Sequence, residues 1–174
     1  MKDFTINSDR ILLRYIRETD IDAIFSYRSL PEVAKYQYWE PFTEEQTIDF
    51  VNKCKNPQID KDEKWIGLAI EKSGILIGDC AFNVSNGIAE IGCNISPKYQ
   101  KMGLAKEALS TLINYCLQNK NVDKIAGITD SKNSASIKLM ESLGMKKVPD
   151  FENHIICKGE ECIEYKYCII SSDL

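Results

Sequence analysis

The chain has 174 residues, of which 44% are hydrophobic and 28% are charged, and its formal net charge is −4. This length suits one domain around a single core, so we expect residues 1–174 to form one domain. The negative charge and the lack of a basic stripe argue against nucleic-acid binding and are compatible with a cationic amine or a basic peptide as partner. No apolar stretch is long enough to span a membrane, and the N-terminus lacks the apolar core of an export signal, so a cytoplasmic location is expected.

Seven cysteines are present, at positions 54, 80, 93, 116, 157, 162 and 168. Because the count is odd and no export signal is present, we interpret them as reduced, small apolar residues. The spacing of His154, Cys157, Cys162 and Cys168 invites comparison with a metal-binding set. However, the close Cys-x2-Cys pair of a zinc site is missing, and Cys157 and Cys162 flank a predicted hairpin turn, so we expect no metal.

The first predicted elements are a strand and a helix. Residues 10–16 form a β-rich run that predicts a strand. Thr19 or Asp20 is a suitable cap for the helix that follows, which should end near Pro31 because proline cannot continue a helix. The side chains expected to be buried on this helix are Ile21, Ile24 and Phe25.

A second helix is predicted from Thr43 to about Cys54, because Thr43 and Gln46 fit a capping box. The aromatic segment over residues 36–41 precedes it and ends in proline. This segment is either hydrophobic packing, which we favour, or the wall of a substrate pocket, and its candidate pocket residues are Tyr36, Tyr38 and Trp39. Residues 56–63 are polar and predict a loop.

Three strands are predicted next, over residues 65–70, 76–82 and 88–95. A turn at residues 72–74 joins the first two, and Asn86-Gly87 is a strong hairpin signal before the third. Successive side chains of a strand point to opposite faces. One face of the third strand therefore carries Ala89, Ile91, Cys93 and Ile95, and the other carries Glu90, Gly92 and Asn94.

The second half of the chain alternates between helices and strands. A loop leads into a helix with its apolar side chains at helical spacing, namely Ala105, Ala108, Leu109, Leu112, Ile113 and Cys116. A strand follows over residues 124–129, and a helix then begins at Asn133 or Ser134 and ends at Gly144, with Ile137, Met140 and Leu143 on its apolar side. Residues 155–156 and 163–169 form a closing hairpin. These elements predict an α/β fold with a mixed sheet.

Residues 100–105, Gln-Lys-Met-Gly-Leu-Ala, lie between a predicted strand and a predicted helix. The start of a helix exposes unpaired N–H groups at a positive dipole end, and this arrangement binds phosphates. Gly103 lacks a Cβ where an anion must approach closely, and Lys101 and Lys106 add positive charge. The pattern lacks the Gly-Lys-Ser/Thr ending of a P-loop and the three glycines of a dinucleotide loop. A plain tight connection explains it about equally well.

Several blocks in addition to this loop resemble the GNAT superfamily of N-acetyltransferases. Gln-x-x-Gly-x-Ala, after a strand that carries Glu-Ile-Gly, is similar to the acetyl-CoA signature of that superfamily. Residues 8–14, 30–33 and 133–145 resemble further blocks in the same order, and they look most like the branch with the ribosomal-protein alanine N-acetyltransferases. The resemblance covers nearly the whole chain. It implies a central, mostly antiparallel twisted sheet, splayed between the fourth and fifth strands and flanked by about four helices.

The resemblance also implies acetyl-CoA as co-substrate, without a metal. The pyrophosphate would be held by backbone N–H groups of Met102, Gly103, Leu104 and Ala105, with Gln100 and Lys101 beside them. The pantetheine arm would lie along the backbone of Cys93, Asn94 and Ile95. Asn133 would hydrogen-bond the pantetheine, or alternatively serve only as a helix cap. Lys138 either lies near the phosphates or is a solvated surface charge.

Acetyl transfer to an amine needs a base, because an ammonium has no lone pair. Glu90 is the candidate base, and the alternative is an ordinary exposed strand carboxylate. The resemblance suggests that the backbone at Cys93–Asn94 is splayed or bulged and polarises the thioester carbonyl. Many members carry a Tyr at the position of Met140, which cannot donate a proton. In the branch that this chain resembles, a Ser matching Ser136 takes that role, although Ser136 could equally be a hydrogen-bond partner of the cofactor.

Three functions are consistent with the sequence. The leading one is acetylation of a protein N-terminal amine, of the ribosomal-protein type. The second is acetylation of a small amine such as a polyamine, an aminoglycoside or an amino acid, and the third is a non-catalytic acyl-CoA-binding domain. Relatives are often homodimers, but the sequence locates no interface and does not identify the acceptor.

Overall fold

One mixed sheet, with eight strands in the described part of the chain, forms the centre of the protein. The computed structural model describes residues 4–55, 57 and 64–173. The strands are β1 (Thr5–Asn7), β2 (Leu12–Tyr15), β3 (Ile66–Lys72), β4 (Ile75–Ser85), β5 (Ile88–Ile95), β6 (Lys124–Asp130), β7 (Lys146–Cys157) and β8 (Glu160–Ile170). Their order is β1-β2-β3-β4-β5-β6-β8-β7, and all neighbours are antiparallel except the parallel pair of β5 and β6. The predicted α/β fold with a mostly antiparallel sheet is confirmed.

Helices cover the two faces of this sheet. They are α1 (Ile21–Arg28), α2 (Pro31–Ala34), α3 (Glu44–Cys54), α4 (Leu104–Asn119) and α5 (Ser134–Ser142). Residues of α1 and α3 pack with Ala69 of β3 in a small cluster, whereas residues of α4 and α5 pack with Leu68 and Ile70 in the main core. Because successive residues of a strand point to opposite faces, these two groups of helices lie on opposite faces, which we call the α1 face and the α4 face. None of the helices in the described part of the chain is long and apolar enough to cross a bilayer.

Two local signals in the sequence form as predicted. Thr43 caps α3: its Oγ1 accepts from Gln46 N at 3.2 Å, and the Gln46 side chain accepts from Thr43 N at 2.9 Å. Asn86 and Gly87 both have positive φ, 50° and 73°, in the tight turn between β4 and β5. Two positive φ angles match the right-handed twist of a hairpin, which explains why these residue types predict the turn. The polar loop predicted over residues 56–63 lies, apart from Pro57, outside the described residues.

The N-terminal region differs from the prediction. The strand expected over residues 10–16 is limited to β2, and the preceding strand, β1, was not predicted. Asp20 precedes α1, but its carboxylate does not cap the helix. It accepts instead from Arg17 N at 2.7 Å and from the buried Arg14 guanidinium at 2.7 and 2.9 Å. A buried guanidinium requires a counter-charge, and this requirement takes priority over the cap.

Two of the predicted helix faces are shifted by one or two positions. On α1, Ile24 is buried as expected, but Tyr27 is also buried while Phe25 is only partly buried. On α4, Leu104 is 1% exposed, whereas Ala105 is only partly buried. On α4 the larger side chain fills the core, because burying more apolar surface stabilises the fold more. On α1 the buried Tyr27 hydroxyl has a partner, since it donates to Asp79.

The sheet is splayed between β5 and β6, which were the fourth and fifth strands of the prediction. Their ladder has only three residue pairs and ends with Glu90 opposite Ala126. β6 instead pairs along its whole length with β8, from Lys124 to Asp130, and follows that strand. The register between β4 and β5 is continuous, so the strand is not bulged at Cys93–Asn94 in this ladder. The gap therefore comes from β6 and β5 diverging.

Candidate active site

The loop ahead of α4 has an irregular backbone that leaves the helix start open. Lys101 and Gly103 have positive φ, 60° and 76°, and Gly103 is the N-cap residue of α4. The Gln100 side chain donates to Ile95 O at 2.9 Å, which fixes the loop to the end of β5. No side chain of the described residues caps α4. The N–H groups that precede Glu107 in the first turn lack an intrahelical acceptor and are positioned for an anion.

The space around Gly103 is open on the side where a side chain would lie. An added Cβ at this glycine would have one described neighbour within 4 Å, the Arg10 Nη2 at 3.5 Å. A guanidinium therefore lies beside the open helix start, and Met102 in the same loop is 54% exposed. The absence of a side chain, the exposed N–H groups and the nearby positive charge together form a cradle for an anion.

Arg10 connects the loop to the N-terminal segment. Its Nη1 donates to Met102 O at 3.0 Å, and its Nε donates to Glu107 Oε2 at 2.6 Å. Glu107 Oε1 also accepts from Arg10 N at 2.7 Å and from Ser8 Oγ at 2.6 Å. Partial burial alone would raise the pKa of Glu107, but these hydrogen bonds outweigh it and lower the pKa. The carboxylate is therefore charged and holds Arg10 against the loop.

One edge of β5 faces the gap in the sheet. The β5–β6 ladder stops at Glu90, so Gly92, Cys93 and Asn94 lie beside the gap. Within the described strands they pair only on their other edge, with β4. Cys93 packs against the main core on the α4 face, and burial raises the pKa of its thiol to about 12. Asn94 points to the α1 face. An extended ligand in the gap can thus reach the backbone of this edge.

Glu90 lies on the α1 face at the point where β5 and β6 part. Its side chain is half-buried. Burial raises its pKa, Lys166 opposes the shift, and the negative charge of Glu164 adds to it, with a raised pKa as the result. A carboxylate with a raised pKa beside a gap is suited to accept a proton.

Glu164 of β8 is another carboxylate on the α1 face, and the sequence analysis missed it. It is 7% exposed, and its oxygens accept from the Tyr38 hydroxyl and from Asn153 Nδ2, the latter at 2.9 Å. Tyr38 is one of the three predicted pocket residues, so the structure brings it next to the candidate site. The sequence signal was weak, because Glu164 alternates with apolar residues like any solvent-facing strand residue.

The other two predicted pocket residues have different surroundings. Trp39 packs against Phe42, and its ring lies 4.8 Å from the Arg28 guanidinium carbon. The ammonium group of Lys35 lies 5.1 Å from the Tyr36 ring. Trp39 thus follows the packing interpretation that the sequence favoured, and neither residue contacts Glu90 or Glu164 through a described interaction.

A buried polar network fixes α1 to the sheet beside the gap. Asp79 of β4 accepts from the Tyr27 hydroxyl, from Arg28 Nη2 at 2.7 Å and Nε at 3.0 Å, and from Asn94 Nδ2 at 3.2 Å. Arg28 is 5% exposed and Asp79 is 3% exposed. The network joins α1, β4 and β5 and was also missed, although a lone acid in the apolar run of residues 76–82 was the available signal.

The start of α5 lies after β6, on the far side of the gap. Asn133 caps α5, since its Oδ1 accepts from Ser136 N at 3.2 Å. The amide nitrogen of Asn133 is not used in this bond. Lys138 is exposed, and Met140 is buried, close enough to Gly127 that a Cβ there would lie 2.6 Å from its sulfur. Met140 therefore serves in the core, and Ser136 remains the candidate proton donor.

The cysteines do not form a cluster at the candidate active site. All seven are free, and Cys157 Sγ lies 3.7 Å from Gln37 O. Cys157 and Cys162 lie in the two strands of the predicted closing hairpin, β7 and β8, on either side of the Lys158-Gly159 turn. Within the described part of the chain, no group of three His, Cys, Asp or Glu side chains is placed to hold a metal ion.

The splayed mixed sheet and the family match that follows define an N-acetyltransferase of the GNAT type. The chain belongs to the GNAT acetyltransferase domain family, which matches residues 10–146. YnaD of Bacillus subtilis strain 168, called an uncharacterized N-acetyltransferase, is 31% identical over 170 residues, covering 97% of this chain and 98% of YnaD. The crystal structure of a GNAT-family acetyltransferase from Bacillus anthracis is 28% identical and has a TM-score of 0.86, covering 97% of this chain and 99% of that one.

Two further solved structures share the fold at lower identity. Spermidine N-acetyltransferase from Vibrio cholerae, in complex with CoA and spermine, is 20% identical with a TM-score of 0.78 and covers 95% and 98% of the two chains. RimL, a ribosomal L7/L12 α-N-protein acetyltransferase in complex with CoA, is 17% identical with a TM-score of 0.80 and covers 96% and 98%. At these identities the likeness shows the fold alone.

Proposed function

We propose that the chain transfers the acetyl group of acetyl-CoA directly to a primary amine, with the N-terminal amine of a protein as the leading acceptor. The observation that carries this proposal is the position of Glu90 at the point where β5 and β6 part. The proposed anion site at residues 100–105 lies at one end of this gap. Glu90 points to the α1 face, from which the acceptor would approach. Donor and acceptor can therefore meet at a carboxylate whose pKa is raised.

The proposed donor site uses the backbone of the loop. The N–H groups of Met102, Gly103, Leu104 and Ala105 would bind the pyrophosphate, with Lys101 beside them. Gln100 would contribute by holding the loop to Ile95. The pantetheine arm would extend along Cys93, Asn94 and Ile95, and the amide nitrogen of Asn133, which is not used in the helix cap, would donate to it from the other side of the gap. The open helix start and the Arg10 guanidinium support this assignment.

The proposed reaction is direct attack by the amine nitrogen on the thioester carbonyl carbon. Glu90 takes a proton from the ammonium, directly or through water, and the C–S bond breaks as the amide forms. After the attack the nitrogen releases its second proton to solvent, which leaves a neutral amide. The sulfur leaves as a thiolate and is protonated by solvent or by the Ser136 hydroxyl. An acyl-cysteine route is disfavoured, because Cys93 points to the opposite face from Glu90 and its thiol has a pKa raised to about 12.

Two kinds of acceptor have support. The resemblance of residues 8–14 and 133–145 to the ribosomal-protein branch, together with the fold shared with RimL, favours a protein N-terminus. A small polyamine is the second candidate, favoured by two carboxylates on the α1 face and by the fold shared with a spermidine acetyltransferase. Both acceptors are amines that are positively charged in water.

Release of free CoA from acetyl-CoA tests the proposal. The purified protein is supplied with a panel of peptides that have free or blocked N-termini and with a panel of small amines. We expect CoA release that depends on a free amine, with mass spectrometry showing a gain of one acetyl group on the acceptor. Binding of acetyl-CoA without release on any amine would instead identify a non-catalytic acyl-CoA-binding domain.

A further inference from the structure

Glu164 differs from the other buried carboxylates of the protein in its partners. Asp20 and Asp79 are buried, and each accepts two hydrogen bonds from an arginine side chain, Arg14 and Arg28. Glu164 is equally buried at 7% exposed, yet within the described residues it forms no ion pair. Its partners are a phenol and an amide. A buried carboxylate without a cation is energetically expensive, so this position is suited to bind a positive charge.

Tyr38 covers this carboxylate from the solvent side. Its side chain is 71% exposed, and its hydroxyl nevertheless reaches the buried Glu164. Desolvation, and then the hydrogen bond to Glu164, raise the pKa of Tyr38, so the phenol remains a neutral donor. Glu164 is fixed in β8 between β6 and β7, whereas Tyr38 lies in the segment after α2. An ammonium that replaced the phenol would offer a stronger, charge-assisted hydrogen bond.

Glu164 and Glu90 occupy separate places on the same face. Glu90 lies opposite Ala126, which lies opposite Cys168. Glu164 is four residues from Cys168 along β8, which corresponds to about 13 Å of strand. The two carboxylates still interact, because Glu164 contributes to the raised pKa of Glu90. This spacing is suited to an acceptor whose reacting amine meets Glu90 while another positive group meets Glu164.

We propose that Glu164 binds a second positive charge on the acceptor and that Tyr38 occupies this place until the acceptor arrives. The inference rests on the proposed amine acetyltransferase function and specifies its substrate class. The acceptor carries a cationic group separated from the reacting amine by a chain long enough to span the two carboxylates, whose strands have β6 between them. A diamine has this chemistry, and so does a peptide with a basic residue next to its N-terminus.

Matched acceptors test the inference. 1,8-Diaminooctane is compared with octylamine, and a peptide beginning Ala-Lys is compared with the same peptide carrying norleucine in place of lysine. Replacing Glu164 with Gln should raise KM for the doubly charged acceptor about tenfold with little change in kcat, because one charge-assisted bond is lost. KM for the singly charged partner should stay the same. The arm that responds, amine or peptide, distinguishes the two sources of the charge.

A second test variant and a control variant complete the experiment. Tyr38→Phe removes the competing donor and should lower KM for the doubly charged acceptor. Glu152→Gln, at an exposed carboxylate of the neighbouring strand β7, should leave both KM values unchanged. The thermal midpoint and the acetyl-CoA affinity of each variant report whether it is folded. Equal changes in KM for singly and doubly charged acceptors, or no change in Glu164→Gln, would overturn the inference.

A binding measurement separates this inference from the proposed function. If the wild type acetylates no amine, the proposed function fails, and calorimetric titration of 1,8-diaminooctane in the presence of CoA still tests Glu164. Tighter binding to the wild type than to Glu164→Gln supports the cation site. Equal affinity of the two proteins shows that Glu164 binds no cation.

Discussion

The Arg10 guanidinium donates to the Met102 carbonyl oxygen from 3.0 Å and so connects the loop ahead of α4 to the N-terminal segment. The carboxylate of Glu107, one turn into α4, accepts hydrogen bonds from the side-chain Nε and from the backbone N–H of Arg10. Arg10 is therefore held at two points beside Gly103, where the proposed pyrophosphate binds. We therefore expect Arg10 to position the loop and to add positive charge beside it.

Replacing Arg10 with Gln should weaken acetyl-CoA binding about tenfold, because the loop loses its tie and the phosphates lose a nearby charge. Arg10→Lys should restore little, since an ammonium cannot copy the two-point contact of a guanidinium. The check is KM for acetyl-CoA compared with KM for S-acetylpantetheine, which lacks the phosphates. Only the first should rise, and an equal rise for both donors would assign Arg10 a general structural role.

Replacing Glu90 with Gln should lower kcat by about 10²–10⁴-fold at neutral pH, the usual range for loss of a general base. The affinity for acetyl-CoA, measured by calorimetry, should stay nearly the same. In the wild type, activity should fall as the pH drops through the raised pKa of Glu90, and the variant should lose this limb of the pH profile. Unchanged turnover in the variant would remove Glu90 from the mechanism.

Glu90→Gln should not reduce the stability of the folded protein at neutral pH. A carboxyl whose pKa is raised on folding stabilises the fold fully below its ordinary pKa, and this contribution is lost as the pH rises through the raised value. At neutral pH the wild type therefore holds a partly desolvated charge that Glu90→Gln lacks. Differential scanning calorimetry at pH 7 should show a higher unfolding temperature for the variant. A lower temperature would indicate that the charged form makes a stabilising contact.

Asn133→Asp separates the helix-cap role of this residue from its proposed contact with the cofactor. The Asp carboxylate can still accept from Ser136 N, so the cap and the stability should be kept. The amide donor is lost, and acetyl-CoA affinity should fall. Asn133→Ala should lose affinity and also about 1 kcal/mol of unfolding free energy. Wild-type affinity in Asn133→Asp would leave the residue as a cap alone.

Asp79→Asn should be strongly destabilising, by about 3–5 kcal/mol, because it leaves the buried Arg28 without its counter-charge. Urea denaturation measures this loss as a change in the free energy of unfolding. Glu18→Gln is the matched control at an exposed pair, where Lys55 lies 3.6 Å away, and should change stability by less than about 1 kcal/mol. Similar small losses in both variants would contradict a structural role for the Asp79 network.

Most of the fold was predictable because its signals are local. The Thr43 cap, the Asn86-Gly87 turn and the alternation of residues 88–95 each depend on neighbours within a few positions, and all three form as predicted. The strand β1 has only three residues and no turn signal, so nothing in the sequence indicated it. Asp20 suggested a cap, but its burial beside Arg14 depends on tertiary packing.

The candidate site was only partly predictable, because its contacts join distant parts of the chain. Glu164 lies 126 residues from Tyr38, and Arg10 lies 97 residues from Glu107. Periodicity shows which face of a strand a residue is on, but it does not show which loop covers that face. Glu90 and the loop over residues 100–105 were found because a family resemblance supplied what local patterns do not.

The proposal that the loop over residues 100–105 binds the phosphates of acetyl-CoA is tested most directly by calorimetry. Acetyl-CoA is titrated into the wild type, Gly103→Glu and Gly74→Glu. Both glycines have positive φ, 76° and 79°, so the two variants carry similar backbone strain, but Gly74 lies in a turn with open space around it. We expect the wild type and Gly74→Glu to bind acetyl-CoA alike, and Gly103→Glu to show no binding, because it adds bulk and negative charge at the proposed phosphate site. Wild-type affinity in a folded Gly103→Glu variant would contradict the placement of the donor at this loop.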